Sequence, residues 1–247
     1  MKNMITNAVA AGMIAAVAGT ATAETSVTMD FASAYVYRGY TLNDEAVFQP
    51  GIEASGLGLP EEIGTFTIGA WGNYDLGDYG GLVTPNQFSE IDWYASYAAP
   101  IEVVDLSVGV TDYTFPFASS AEDVELFVGL GYELAGIGLA ATVYRGVSGD
   151  ILGGVTTIEF GAEYGFDFTE SFSGSLAADA RYVDGQKSGY GWNDGTVSAG
   201  VDYALNEAWS IYGSVTYIAQ LDDTVLVDGP FAYDVDLLGT VGVSTTF

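Results

Sequence analysis

Apolar and polar positions alternate with a period of two along most of the chain. The stretch 231–247, FAYDVDLLGTVGVSTTF, shows it plainly. Phe231, Tyr233, Val235, Leu237, Val241, Val243 and Phe247 fall on one face, and Ala232, Asp234, Asp236, Thr240, Ser244 and Thr246 on the other. Successive side chains of a β-strand point to opposite sides, so each such run predicts a strand with one apolar and one polar face. Twelve runs are predicted, over 25–38, 46–57, 64–75, 88–99, 102–114, 122–134, 137–146, 154–167, 170–183, 194–205, 207–219 and 231–247. Pro50 lies inside the second, a position that a bulge tolerates.

The predicted connections alternate as well. Those at 58–64, 98–102, 134–136, 167–171 and 205–208 are short, and those at 77–87, 115–122, 146–154, 183–194 and 220–230 tend to be longer. Two-faced strands joined by short turns at one end and long loops at the other predict an all-β fold, a transmembrane antiparallel β-barrel of about 12 strands in meander order. An even count places both ends of the barrel on the short-turn side, with strand twelve expected to pair with strand one. Aromatic residues on the apolar faces gather at two heights. Phe66, Tyr97, Tyr132, Tyr164, Phe172, Tyr203, Trp209 and Phe247 fall toward the short-turn rim, and Tyr35, Tyr37, Tyr74, Tyr182, Tyr217 and Tyr233 toward the long-loop rim. Bilayer interfaces favour such belts. A soluble sandwich has no reason to place aromatics at both ends of one face.

Residues 1–23 carry Lys2, an apolar run over 8–18 and the small-residue step Ala21-Thr22-Ala23. This is the pattern of a cleaved signal peptide, leaving 24–247 as the barrel. A closing strand that ends on Phe resembles those of bacterial outer-membrane proteins, where the terminal aromatic is part of the signal read by the assembly machinery. That resemblance implies a bacterial outer-membrane location, surrounding lipid and lipopolysaccharide, and recognition of Phe247 by the barrel assembly machinery.

Composition then removes function classes. Thirty-three acidic residues stand against five basic ones, a formal net charge of −28. Nothing in such a chain can neutralise phosphates, so nucleic acid is excluded as a partner. There is no Cys and no His. Disulfide staples, Cys–His and Ser–His–Asp catalysis are therefore impossible, and the commonest transition-metal ligand is missing. No catalytic residue, cofactor or metal is predicted. Asp222, Asp223 and Asp228 could offer oxygens to Ca²⁺, but without an EF-hand spacing they read as a solvated acidic loop.

The polar faces point into the barrel. The pore-lining residues they predict are Asp30, Arg38, Glu53, Asp75, Glu90, Asp92, Asp105, Glu125, Glu159, Glu163, Asp179, Arg181, Asp202, Asp234 and Asp236. So many carboxylates in a narrow polar lumen attract cations and repel anions. The expected function is a porin-like channel for passive diffusion of small hydrophilic solutes, preferring cations. Arg38 and Arg181 can play either of two parts. They can face the acids across a constriction and orient solutes in a transverse field, or they can neutralise buried carboxylates and plug the barrel. Arg145 is ambiguous by parity. Asp234 and Asp236 are expected beside Arg38 at the seam between strands twelve and one.

The run Ala32-Ser33-Ala34-Tyr35-Val36-Tyr37-Arg38-Gly39-Tyr40-Thr41-Leu42-Asn43-Asp44, followed by Gln49-Pro50-Gly51, resembles the opening of the TorF family of outer-membrane porins. There a strand ending in an aromatic–Arg–Gly step leads through a short loop to a second strand carrying Gln and Gly. Gly69-Ala70-Trp71-Gly72-Asn73 and Glu90-Ile91-Asp92-Trp93-Tyr94 are similar to the family's third and fourth strands. The resemblance spans roughly the first half of the chain after residue 23. It implies small-solute passage and supplies no catalytic residue. The alternative is a structural or adhesion barrel with a plugged lumen and partner-binding extracellular loops. A hydrolase without His would need an unusual carboxylate mechanism.

Overall fold

The computed structural model describes residues 23–57, 61–101, 103–117, 122–186 and 189–247. The predicted signal peptide, apart from Ala23, lies outside them. Fourteen strands form among the described residues: β1 Glu24–Ala32, β2 Tyr35–Tyr37, β3 Tyr40–Asn43, β4 Val47–Ser55, β5 Thr65–Asp75, β6 Gln87–Ala99, β7 Asp105–Thr114, β8 Asp123–Leu134, β9 Ile137–Ser148, β10 Thr156–Asp167, β11 Phe172–Gln186, β12 Gly189–Ala204, β13 Trp209–Gln220 and β14 Leu237–Thr246.

Twelve of them, β1 and β4 to β14, close into an antiparallel barrel in which each strand pairs with its neighbours in order. The seam joins β1 to β14. Beyond the last ladder pair, Thr25 and Phe247 exchange backbone bonds of 3.2 and 2.9 Å. Closure leaves no unpaired sheet edge, which a lipid-exposed sheet requires. No helix among the described residues is long and apolar enough to cross a membrane, which says nothing about crossing by strands.

The alternation predicted for the barrel strands is the alternation seen. On β8, Leu126, Val128, Leu130 and Tyr132 are 47–50% exposed, while the intervening Glu125 and Phe127 are 2% and 6% exposed. The apolar face thus points away from the barrel, as in a protein whose solvent there is hydrocarbon. Aromatic pairs mark the long-loop rim on this outer face, among them Phe31–Phe48, Tyr74–Phe88 and Tyr182–Trp192. Stacked Phe168–Phe172 and Tyr164–Phe166 mark the short-turn rim.

Strand ends depart from expectation at three places, one of them the connection predicted over 183–194, where β11 runs on to Gln186 and β12 already starts at Gly189. The first predicted strand stops at Ala32 rather than 38. Residues 35–43 turn inward as a separate hairpin, β2–β3. The last barrel strand begins at Leu237 rather than 231. Tyr35 and Tyr37 therefore do not belong to the outer girdle, and Tyr233 lies in the loop before β14. The physical reason is that a period of two reports a strand with two unlike faces. It cannot distinguish a wall strand facing lipid from a strand whose aromatic face meets partners inside the lumen.

Candidate functional site: a hairpin inside the lumen

The hairpin turns at Arg38-Gly39, where both residues have positive φ, 48° and 82°. A two-residue type I′ turn needs positive φ at both central positions, and Gly takes it without cost. Arg does not favour it, so the conformation must be held by its surroundings. The fit at Gly39 is close: a Cβ there would lie 2.8 Å from Asp194 Cβ and from Leu226 Cδ2.

What holds Arg38 is a set of groups from four wall strands. Its two terminal nitrogens donate to Glu125 on β8, each at 2.8 Å. Its guanidinium lies 4.0 Å from the ring centre of Tyr144 on β9 and 4.8 Å from that of Tyr37. Its carbonyl accepts from the Asn193 amide on β12 at 2.8 Å. Tyr113 on β7 donates to Glu125 at 3.1 Å and shares a 2.8 Å hydroxyl contact with Tyr37. Arg is the side chain suited to such a place, since its planar fork binds a carboxylate bidentately and stacks on rings.

The rest of the hairpin is tied to other strands. Tyr35 donates to Glu90 on β6 at 2.8 Å and packs on Trp71 of β5. Asn43 donates to Asp75 on β5 at 2.8 Å. Ala34 and Val36 pack against Ile218 on β13 with Tyr233, Val235 and Leu238 around them. The loop 221–236 closes over the turn: the Thr41 amide donates to the Ala232 carbonyl at 2.7 Å, and Leu226 is wholly buried. Beside the hairpin, Arg181 of β11 bridges Glu159 of β10 and Asp194 of β12. Arg38, Thr41, Asn43, Asp75, Glu125, Glu159, Arg181, Asn193 and Asp194 are all buried. A layer of buried groups contributed by strands around the barrel, with a hairpin through its middle, fills the lumen at this level among the described residues.

The short-turn half of the lumen differs. Its wall is built from small and hydroxylated residues: Ser107 and Thr142 flank Gly129, and Ser175 and Ser214 flank Gly200. Several predicted acids face this half. Asp30 accepts from Tyr212, Glu53 from Tyr94 at 3.1 Å and Asp179 from Thr196 at 2.9 Å. Glu163 and Asp202 are half-buried, and Asp105 is exposed at the start of β7.

The predicted residues therefore divide. Asp75, Glu90, Asp92, Glu125, Glu159, Arg38 and Arg181 come together in the buried layer. Asp30, Glu53, Glu163, Asp179 and Asp202 face the open half, with Asp105 at its rim. Asp234 and Asp236 are not on the wall: both are exposed in the loop before β14, and Asp234 accepts from Tyr79 at 2.9 Å. Arg38 pairs with Glu125, not with these two. Arg145 is exposed and donates to Gly154 and Thr156. Both buried arginines are spent on neutralising buried carboxylates. Parity assigned Asn43, Asn193 and Asp194 to loops or strand ends; the Arg-Gly turn flanked by Tyr37 and Tyr40 was the signal that could have placed them around a hairpin. In the last long loop, Asp222 accepts from the Thr224 hydroxyl and amide, which holds its carboxyl below the usual range. Among the described residues no acidic cluster has the arrangement of a metal site.

The sequence matches no family model and no curated protein. The fold does find likeness among solved structures. The KdgM porin in complex with disordered oligogalacturonate is 10% identical, with 91% of this chain and 99% of that one covered at a TM-score of 0.52. The NanC porin is 12% identical, with 90% and 98% covered at 0.53. The outer-membrane phospholipase of Salmonella typhi is 12% identical, with 90% of each chain covered at 0.51. The shared feature is the outer-membrane type of β-barrel. A fold that carries both porins and a phospholipase does not choose between them.

Proposed function

We propose that this chain is an outer-membrane, porin-like channel for small hydrophilic solutes, and that the conformation described is its closed state. The observation that carries this reading is the asymmetry of the lumen. One half is polar and lined largely by small and hydroxylated residues, and the other is filled by a hairpin tied to the wall strands mainly through side chains rather than woven into them. The filled half faces the exterior if long loops lie outside, as in barrels of this type. The resemblance to the TorF porins supports the same proposal, because the run 32–44 that opens it contains the hairpin.

Cation preference follows from charge. The buried arginines Arg38 and Arg181 are paired with Glu125, Glu159 and Asp194, whereas Asp30, Glu53, Glu163, Asp179 and Asp202 face the open half. Acids in a narrow polar channel enrich cations and exclude anions. A polyanion such as the one named with KdgM is a poor solute for this lumen. The chain lacks the His and Cys of the common hydrolytic mechanisms, so a phospholipase-like activity is not part of the proposal. Lipid and lipopolysaccharide around the wall, and the assembly machinery at Phe247, complete the proposed partners.

Planar-bilayer recording tests the reading. Purified barrel should show intermittent openings, and a variant with 34–44 replaced by a short Gly-Ser turn should show stable, larger ones. The sealed hairpin favours a second reading, a plugged structural barrel. It takes precedence if the intact protein never opens at any voltage while the shortened variant conducts. Silence from both would remove the channel.

A further inference from the structure

Directly beneath the hairpin, the open half ends in a recess of about 140 Å³ lined by Ser26, Thr28, Gly51, Glu53, Trp71 and Tyr94. We infer that this recess is a binding site for small organic ammonium ions. The inference rests on the channel reading above and names a solute class for it.

The wall is built to present these groups. Tyr94 lies flat against Gly69: a Cβ there would come within 2.2 Å of the Tyr94 ring. Its hydroxyl donates to Glu53, so the carboxylate is held at one side of the recess. Gly51 leaves space between Thr28 and Trp71, since a Cβ there would meet the Thr28 hydroxyl at 2.6 Å and the indole at 3.7 Å. Trp71 is braced from above by Tyr35, with ring centres 5.6 Å apart. The recess therefore offers two aromatic rings, one carboxylate and two hydroxyls.

That combination selects among cations. A hard metal ion wants six or more oxygens and finds too few here. An alkylammonium is attracted to aromatic faces, of which Trp is the strongest, and its charge is met by the single carboxylate. A neutral sugar gains nothing from the acidic field that gathers cations in this lumen. The site is coupled to the hairpin by geometry, because Tyr35 touches Trp71 on one side and bonds Glu90 on the other.

Calorimetric titration of the detergent-solubilised full barrel with tetramethylammonium chloride, at matched ionic strength against sodium chloride and against glucose, tests the site. Saturable heat for tetramethylammonium alone is expected. Trp71→Leu should weaken it by roughly fivefold or more, the size of one cation–π contact. Glu53→Gln should weaken it to a similar degree, with both variants keeping the unheated gel mobility of the folded barrel. Absence of saturable heat, binding of glucose instead, or unchanged affinity in Trp71→Leu would each overturn the assignment. The titration does not require conduction. A barrel that conducts without binding refutes this site only, and one that binds in the titration but never conducts keeps the site and refutes the channel.

Discussion

Arg38 is the residue through which the hairpin is most firmly tied to the wall. It occupies a backbone conformation unfavourable to Arg, and it is buried with Glu125 as its bidentate partner. Taking two charges out of water is costly, and good geometry offsets that cost without making the pair a net stabiliser. Breaking it is another matter. Arg38→Ala leaves Glu125 buried with only a tyrosine donor, and we expect a loss of about 3–5 kcal/mol in the cohesion of the hairpin with the wall. The readout is faster proteolysis within 33–46 and a higher open probability in bilayers, with the barrel still migrating as folded. The double variant Arg38→Met/Glu125→Leu removes both charges and should recover most of the protection. Arg38→Asn separates the two roles, because Asn tolerates positive φ but cannot pair with Glu125. If Asn behaves like wild type, the turn matters and the ion pair does not.

At the scale of elements, the barrel strands were legible because one physical constraint acts on all of them. Each must show an apolar face to lipid and a polar face to the lumen, and a period of two records that wherever it occurs. Strands β4 to β13 lie close to their predicted spans for this reason, apart from β12, which starts at Gly189 rather than 194. The constraint lapses where an element has two protein faces. In β2–β3, Tyr35 and Tyr37 point to rings and acids inside the barrel, so aromatic content read as a girdle was in fact packing. The same lapse moved the start of β14, where Tyr233 and Val235 cover the hairpin instead of lipid. The site was half legible: parity found the acids and left Arg38 and Arg181 either facing them across a constriction or neutralising them, and the ion pairs to Glu125, Glu159 and Asp194 select the second. The loop 221–236 should then matter as a lid on the hairpin. Leu226 is fully buried against Gly39, and Leu226→Ala should cost about 2–5 kcal/mol locally. Hydrogen exchange should report faster opening at the Thr41 amide, which donates to Ala232, with exchange in β8 and β10 unchanged. Equal acceleration throughout the barrel would show that loop and wall unfold as one unit.

For the whole molecule, the division of the lumen changes which acids would set ion selectivity in the proposed channel. A surface with a net charge of −28 repels anions at long range, but that effect is screened within about 10 Å at 0.1 M salt. Selectivity that persists in high salt must come from groups a permeating ion passes closely. Glu90 and Asp92 are obvious candidates by sequence, yet both are buried, and Glu90 is bonded to the hairpin through Tyr35. Glu53, Glu163 and Asp202 face the open half. The two sets give opposite expectations in one measurement, the reversal potential across a potassium chloride gradient. Neutralising Glu53, Glu163 and Asp202 together should move the reversal potential of the hairpin-shortened channel most of the way toward zero. Neutralising Glu90 and Asp92 in the intact protein should instead leave selectivity in place and raise open probability, because Tyr35 loses its carboxylate acceptor. A large selectivity loss from the Glu90 and Asp92 variant alone would mean that ions cross the buried layer. The hairpin would then be part of the conducting path rather than its barrier.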